Sequence, residues 1–189
     1  MSSTNANPIQ EIGRSVLAAA YECSNSIKPK IGFLTKEENE ARRPLILFEF
    51  AYFFLHMTSR YALANLGDAK RIELQEIIGP LVAECSVESV CGHWPSDLKV
   101  GIKGEFFENL NKADFEYANC NCLVNPDDPF SQKALLVKLA QNVTNLCANP
   151  TDKELIWKVI ETSFEHLKQT DLEKLVIAAK DSFPGKANN

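Results

Sequence analysis

The chain reads as an all-α protein: a single-domain bundle of about six helices around a central apolar helix at about residues 44–66. Three observations predict it. Helix-opening signals recur at Asn7-Pro8, Thr35–Glu38 and Asn149-Pro150, each ahead of a run with apolar residues at helical spacing. No run alternates Val, Ile and Thr with polar residues, and no Asn-Gly or Asp-Gly pair offers a tight hairpin. Between Pro44 and Met57 every residue is apolar except Glu49 and His56, and a helix hydrophobic on all sides must be buried on all sides.

The first helix follows from Asn7 as cap, with Pro8 in its first position and "IGRSVLAAAYECS" beyond. Thr35 and Glu38 form a capping box for the second. Pro44 then kinks that helix or opens the central one, which runs to Asn65 and stops at Gly67. Asp68 is placed to cap "AKRIELQEIIGPLVAECSVESVC", bent by Gly79-Pro80 and ended by Gly92, with "HWPSD" as the loop. Ser96 is placed to cap a fourth helix, weakened by Gly101 and Gly104 and firm from Glu105 to about Asn119. "NPDDP" is a loop from which Pro129 opens "FSQKALLVKLAQNVTNLCA". The last helix is expected from Thr151 to about Lys180, with Leu155, Ile156, Val159, Ile160, Phe164 and Leu167 on one side. Residues 1–6 and 184–189 read as polar tails.

Composition narrows the function. A chain of 189 residues buries about 70% of its unfolded surface, so no disulfide or metal staple is needed. A net charge of -5 without any Lys/Arg cluster excludes nucleic acid as an expected partner. The Pro44–Met57 run is shorter than the roughly 20 residues a bilayer requires, so no membrane partner is expected. "MSSTNANP" lacks the basic start and apolar run of a secretion signal. A cytoplasmic location follows, with the six cysteines as thiols.

The central helix also carries the candidate site. At about 100° per residue, Glu49, His56 and Arg60 fall within about 40° of one another, flanked by Tyr52 and Phe53. A buried carboxylate must be paired, hydrogen-bonded or protonated. Glu49 lies about 16 Å from Arg60 along the axis, too far to pair, so its partner is on another helix, in water or in a ligand. His56 is one turn from both Tyr52 and Arg60. Three readings follow. The seam is a polar network fixing helix register, completed by groups such as the carboxylates of the 68–91 helix. It is a small-molecule or metal pocket lined by Glu49, Tyr52, His56 and Arg60. Or it is an interface seam between two protomers.

Other constellations are weaker. A di-iron bundle needs Glu-x-x-His, which the chain lacks. Cys91, His93, Cys120 and Cys122 are soft metal ligands without the usual Cys-x2-4-Cys spacing. Ser96 in "SDLK" has a hydrolase-like spacing without companion motifs, and "GIKG" lacks the context of a phosphate loop. No catalytic residue and no cofactor is assigned. The expectation is a non-catalytic binding or scaffold protein, with a homodimer and a small-molecule ligand as expected partners. The alternatives are an enzyme or sensor working through the seam, or a metal-binding helical protein.

Overall fold

The protein is described here by a computed structural model covering residues 7–27, 35–128 and 130–183. Among these residues it is all-helical, and the only β-pairing is an isolated bridge between Cys122 and Ala134.

Helix α1 (Pro8–Ser26) starts where Asn7 accepts a hydrogen bond from the Ile9 amide at 3.0 Å, and it buries the face carrying Ile9, Ile12, Val16, Ala19 and Cys23. Gly13 lies where it packs on the third helix: a Cβ there would come within 2.7 Å of Leu81 Cδ2. Helix α2 (Lys36–Leu66) opens with the expected Thr35–Glu38 capping box. It runs 31 residues through Pro44, so the proline lies inside this helix and does not open a separate central one. The proline removes one backbone hydrogen bond, and the enclosed stretch that follows holds the helix together. Gly67 ends it at φ +84°, a conformation that favours glycine.

Helix α3 (Asp68–Cys91) starts directly from that glycine. Asp68 is its first residue and forms no cap; its carboxylate pairs with Arg71 at 2.8 Å. Helix α4 (Ser96–Ala118) is continuous through Gly101 and Gly104, because Phe106, Ala113 and Tyr117 bury one face. Lys99–Glu88 at 2.9 Å and a Lys103–Glu84 pair tie it to α3. Ser96 opens α4 without a side-chain cap.

The described residues between 119 and 134 form no helix. Asn121 donates to Lys133 O at 3.1 Å, and Cys122 O accepts from Leu135 N at 2.9 Å, closing a clip that delays the next helix. Helix α5 therefore spans Leu135–Leu146 rather than opening at Pro129, which is outside the described residues. Helix α6 (Lys153–Thr170) is capped by Asp152, not Asn149, through the Leu155 amide at 3.1 Å. The expected last helix is divided: Asp171 adopts a left-handed conformation (φ +46°, ψ +48°), and α7 (Leu172–Ala178) and a 3-10 turn (Ala179–Asp181) follow. The tails at 1–6 and 184–189 also lie outside the described residues.

Helix α2 is the hub, packed against α1, α3, α4, α5 and α7. From Ile46 to Thr58 every residue is buried apart from Glu49, which is partly so. Phe50, Phe53, Phe54 and Leu55 are among the largest fully buried side chains.

Candidate functional site

The seam on α2 is largely buried, with Glu49 and Arg60 partly exposed, and it divides into two parts. Around Glu49 it is tied to two other helices. Tyr117 of α4 donates its hydroxyl to Glu49 Oε1 at 2.5 Å, and Asn142 of α5 donates to the same oxygen at 2.8 Å. Asn142 also reaches Glu116 at 3.4 Å, and Glu116 pairs with Lys138 at 3.0 Å. Burial raises the pKa of Glu49, while the Tyr117 and Asn142 hydrogen bonds act against that. Burial also lifts Tyr117 well above the phenol range, with the Glu49 carboxylate adding to it. This part joins three helices through one oxygen of the Glu49 carboxylate.

Tyr52 packs edge-on against Phe106 with ring centroids 4.8 Å apart, and burial raises its hydroxyl pKa too. Arg60 donates to the Cys120 carbonyl at 2.9 Å, just past the end of α4. A cation there meets the negative end of the helix dipole. Of Glu49, Tyr52, His56 and Arg60, only His56 lines the groove between α2, α3 and α4. Their partners come from α4, α5 and the clip, not from the carboxylates of α3.

His56 is different. Its Nδ1 lies 2.6 Å from Asp114 Oδ1 on α4, although the imidazole is only 5% exposed. That hydrogen bond is the leading cause holding Asp114 below the ordinary aspartate range, with Arg71 and Arg60 contributing in the same direction. An ionised Asp114 can only accept, so Nδ1 carries the proton. The other ring nitrogen, Nε2, is shielded from solvent and has no hydrogen-bond partner among the described residues. Buried polar atoms without partners are few in folded proteins, and each requires an account.

The His56 ring forms part of the wall of a groove of about 500 Å³ between α2, α3 and α4. Ser59, Arg71, Gln75, Asn111 and Asp114 bring polar groups to it. Arg71 donates to Ser59 Oγ at 3.4 Å, and Gln75 donates to the Leu55 carbonyl at 3.2 Å, leaving the Gln75 side-chain oxygen as an acceptor. Ile72, Pro80, Phe107 and Leu110 supply apolar wall. A larger groove of about 940 Å³, lined by Leu123, Trp157, Ile160 and Phe164, has charged groups only from Glu154, Lys158 and Glu161.

The soft metal ligands are not gathered. Cys91 is buried at the end of α3, and His93 accepts from the Trp94 indole at 3.0 Å. The Cys120 and Cys122 thiols face the carbonyls of Glu116 and Lys133 at 3.9 and 3.7 Å. Among the described residues no three His, Cys, Asp or Glu side chains are grouped to hold a metal ion.

Sequence reasoning missed Asp114, Tyr117 and Asn142, yet a signal existed. Asp114 lies in the row Phe107–Leu110–Tyr117 of α4, and Asn142 in the row Leu135–Leu139–Leu146 of α5. Each is a lone polar group in an otherwise apolar row. Comparison with known proteins finds no matching family model, no matching curated protein and no matching solved structure.

Proposed function

We propose that the protein is a non-catalytic small-molecule-binding protein whose site is the groove between α2, α3 and α4. The observation carrying this is His56: a buried imidazole oriented by Asp114, in a groove wall, with a ring nitrogen that no protein group satisfies. Concave sites combining apolar walls with a few converging polar groups are where small ligands bind. The Glu49 part of the seam belongs to the fold rather than to this site.

A thermal-shift screen of small metabolite classes tests the reading, with Asn111→Trp as the comparison. Asn111 is exposed on the groove wall, so a tryptophan there fills the groove without disturbing the core. Hits should raise the wild-type Tm by several degrees, at about 2–4 °C per kcal/mol of linked binding, and leave Asn111→Trp unmoved. Hits that stabilise both proteins equally, or no hits in any class, overturn it.

A second reading, an enzyme using His56 as a general base, draws on the same pair, since a carboxylate that fixes an imidazole tautomer is the arrangement proton transfer uses. It requires the ligand to bring the reacting group, because no hydroxyl or thiol is hydrogen-bonded to His56 among the described residues. Chemical conversion of a screening hit, abolished by His56→Gln, separates it from binding alone.

Six free thiols support a reducing, cytoplasmic compartment. For the expected homodimer, the support is the exposed Val100 and Phe115 on α4, and sedimentation equilibrium at micromolar concentration decides it: a monomer overturns that part.

A further inference from the structure

Helix α4 is covered on one side only. Phe106, Ala113 and Tyr117 are its buried residues, and the opposite side is open to solvent. At about 100° per residue, Gly101, Gly104, Glu108 and Phe115 fall within about 60° of one another at the middle of that open side. Phe115 is 75% exposed, more than any other large apolar side chain among the described residues. At the other end of the same face the helix surface is bare: a Cβ built on Gly101 or on Gly104 meets nothing within 4 Å. An aromatic knob at one end is thus matched by a hollow at the other.

The two flanks of this face differ. One carries the exposed Val100 and Phe107, and the other carries Glu105 and Lys112. Among the described residues the Glu105 and Glu108 side chains form no ion pair or hydrogen bond, and Lys112 donates only to Asn109, at 3.3 Å. These charges have no partner within the fold.

A two-fold axis between paired helices sets them antiparallel and brings each flank against the same flank of the other copy. The open face of α4 is complementary to itself under that operation. Phe115 placed between Gly101 and Gly104 of a second copy puts the axis near residue 109, and the other pairings follow from a rise of 1.5 Å per residue. Lys112 comes level with Glu105 of the second copy to within one residue, and the reverse pair forms by symmetry. On the apolar flank, Phe107 of the two copies lies within one turn. Glu108 of both copies approaches the axis as the one like-charged contact, with each Lys112 about one turn away.

We propose that a second copy of the chain docks on this face, α4 against α4 in antiparallel two-fold packing, with Phe115 of each copy seated between Gly101 and Gly104 of the other. This interface rests on the homodimer reading and gives it a location. Charge order selects a second copy as the occupant: Glu105 and Lys112 are placed about the same midpoint as the knob and the hollow, so a reversed copy pairs every element at once. None of Gly101, Glu105, Glu108, Lys112 and Phe115 lines the groove between α2, α3 and α4, so dimerisation and ligand binding are separable.

Sedimentation equilibrium of the full chain across the micromolar range tests it. Phe115→Ala should weaken the dimer about a hundredfold, since two knobs are lost per dimer. Gly101→Leu adds apolar surface and helix propensity, yet should weaken the dimer about tenfold or more by filling the hollow. Glu105→Lys and Lys112→Glu should each weaken it about five- to tenfold, by setting like charges opposite each other. An equimolar mixture of those two variants should recover the wild-type dissociation constant to within about threefold, because every flank pair is again of opposite charge. Each substituted position is exposed, and circular dichroism checks that every variant is folded. A wild-type chain that stays monomeric overturns the homodimer reading and this interface with it. A dimer indifferent to Phe115→Ala, or tightened by Gly101→Leu, leaves the homodimer standing and overturns the α4 packing. A mixture that dimerises no better than its two parts overturns the antiparallel pairing.

Discussion

Glu49 shows how an acid can belong to an apolar core. Its carboxyl is held by two donors on different helices, yet burial still raises its pKa above the ordinary value of 4.5. An acid with a raised folded-state pKa keeps its proton longer folded than unfolded. Its stabilising contribution is complete below its unfolded value and is lost as pH rises through the folded one. Chemical denaturation as a function of pH should therefore show wild-type stability declining across the window above about 4.5, and Glu49→Gln free of that decline. Parallel profiles contradict it. Glu49→Ala strands the buried Tyr117 hydroxyl and should cost about 1–3 kcal/mol. Asp114 has the opposite sign: its lowered pKa gives stability that is present above its unfolded value and lost as pH falls through the folded one. Because its side chain is 54% exposed, Asp114→Asn should flatten the acid limb by less than about 1 kcal/mol. The polar residues of α2 were readable one by one, since an acid and an imidazole stand out in an apolar run. Their partners were not, because Asp114, Tyr117 and Asn142 are separated from them by 58, 68 and 93 positions and only the fold brings them close.

Helix ends were readable where the cap is built from adjacent residues, and misread where two signals competed. Asn7 and the Thr35–Glu38 box cap as their spacing implies. At the last long helix, Asn149-Pro150 resembles an opening, but Asp152 makes the bond to the Leu155 amide. Ser96 has a favourable cap chemistry and makes no cap bond. Asp152→Ala should then cost about 1–2 kcal/mol in thermal or denaturant unfolding, whereas Ser96→Ala should change stability by less than about 0.5 kcal/mol. Equal effects would contradict this assignment. Local propensity makes Pro44 a kink or a new start and Gly101/Gly104 a weak stretch of helix. In both cases tertiary packing overrides it: the buried 46–58 stretch carries α2, and Phe106, Ala113 and Tyr117 anchor α4. The break at Asp171 had no glycine or proline to announce it.

The architecture as a whole followed from one fact, that a thirteen-residue stretch is apolar nearly all round and has to be covered. Five helices cover it, so truncating a ring at its centre opens a cavity with nothing able to fill it. Phe54→Ala should cost about 3–5 kcal/mol, and native-state hydrogen exchange should find the slowest amides at 46–58, with faster exchange there than in α1 or α4 contradicting the hub role. Function was less readable, because the groove is assembled from three helices and only two of its polar groups, His56 and Ser59, lie on the helix that drew attention. The whole functional account turns on that imidazole being held by Asp114 through Nδ1 with Nε2 left as an acceptor. Two-bond proton–nitrogen correlations of the histidine rings at about pH 8.5, where an ordinary imidazole is neutral, test it directly. The account predicts His56 in the Nδ1-protonated tautomer; a proton on Nε2 with Nδ1 bare would contradict it.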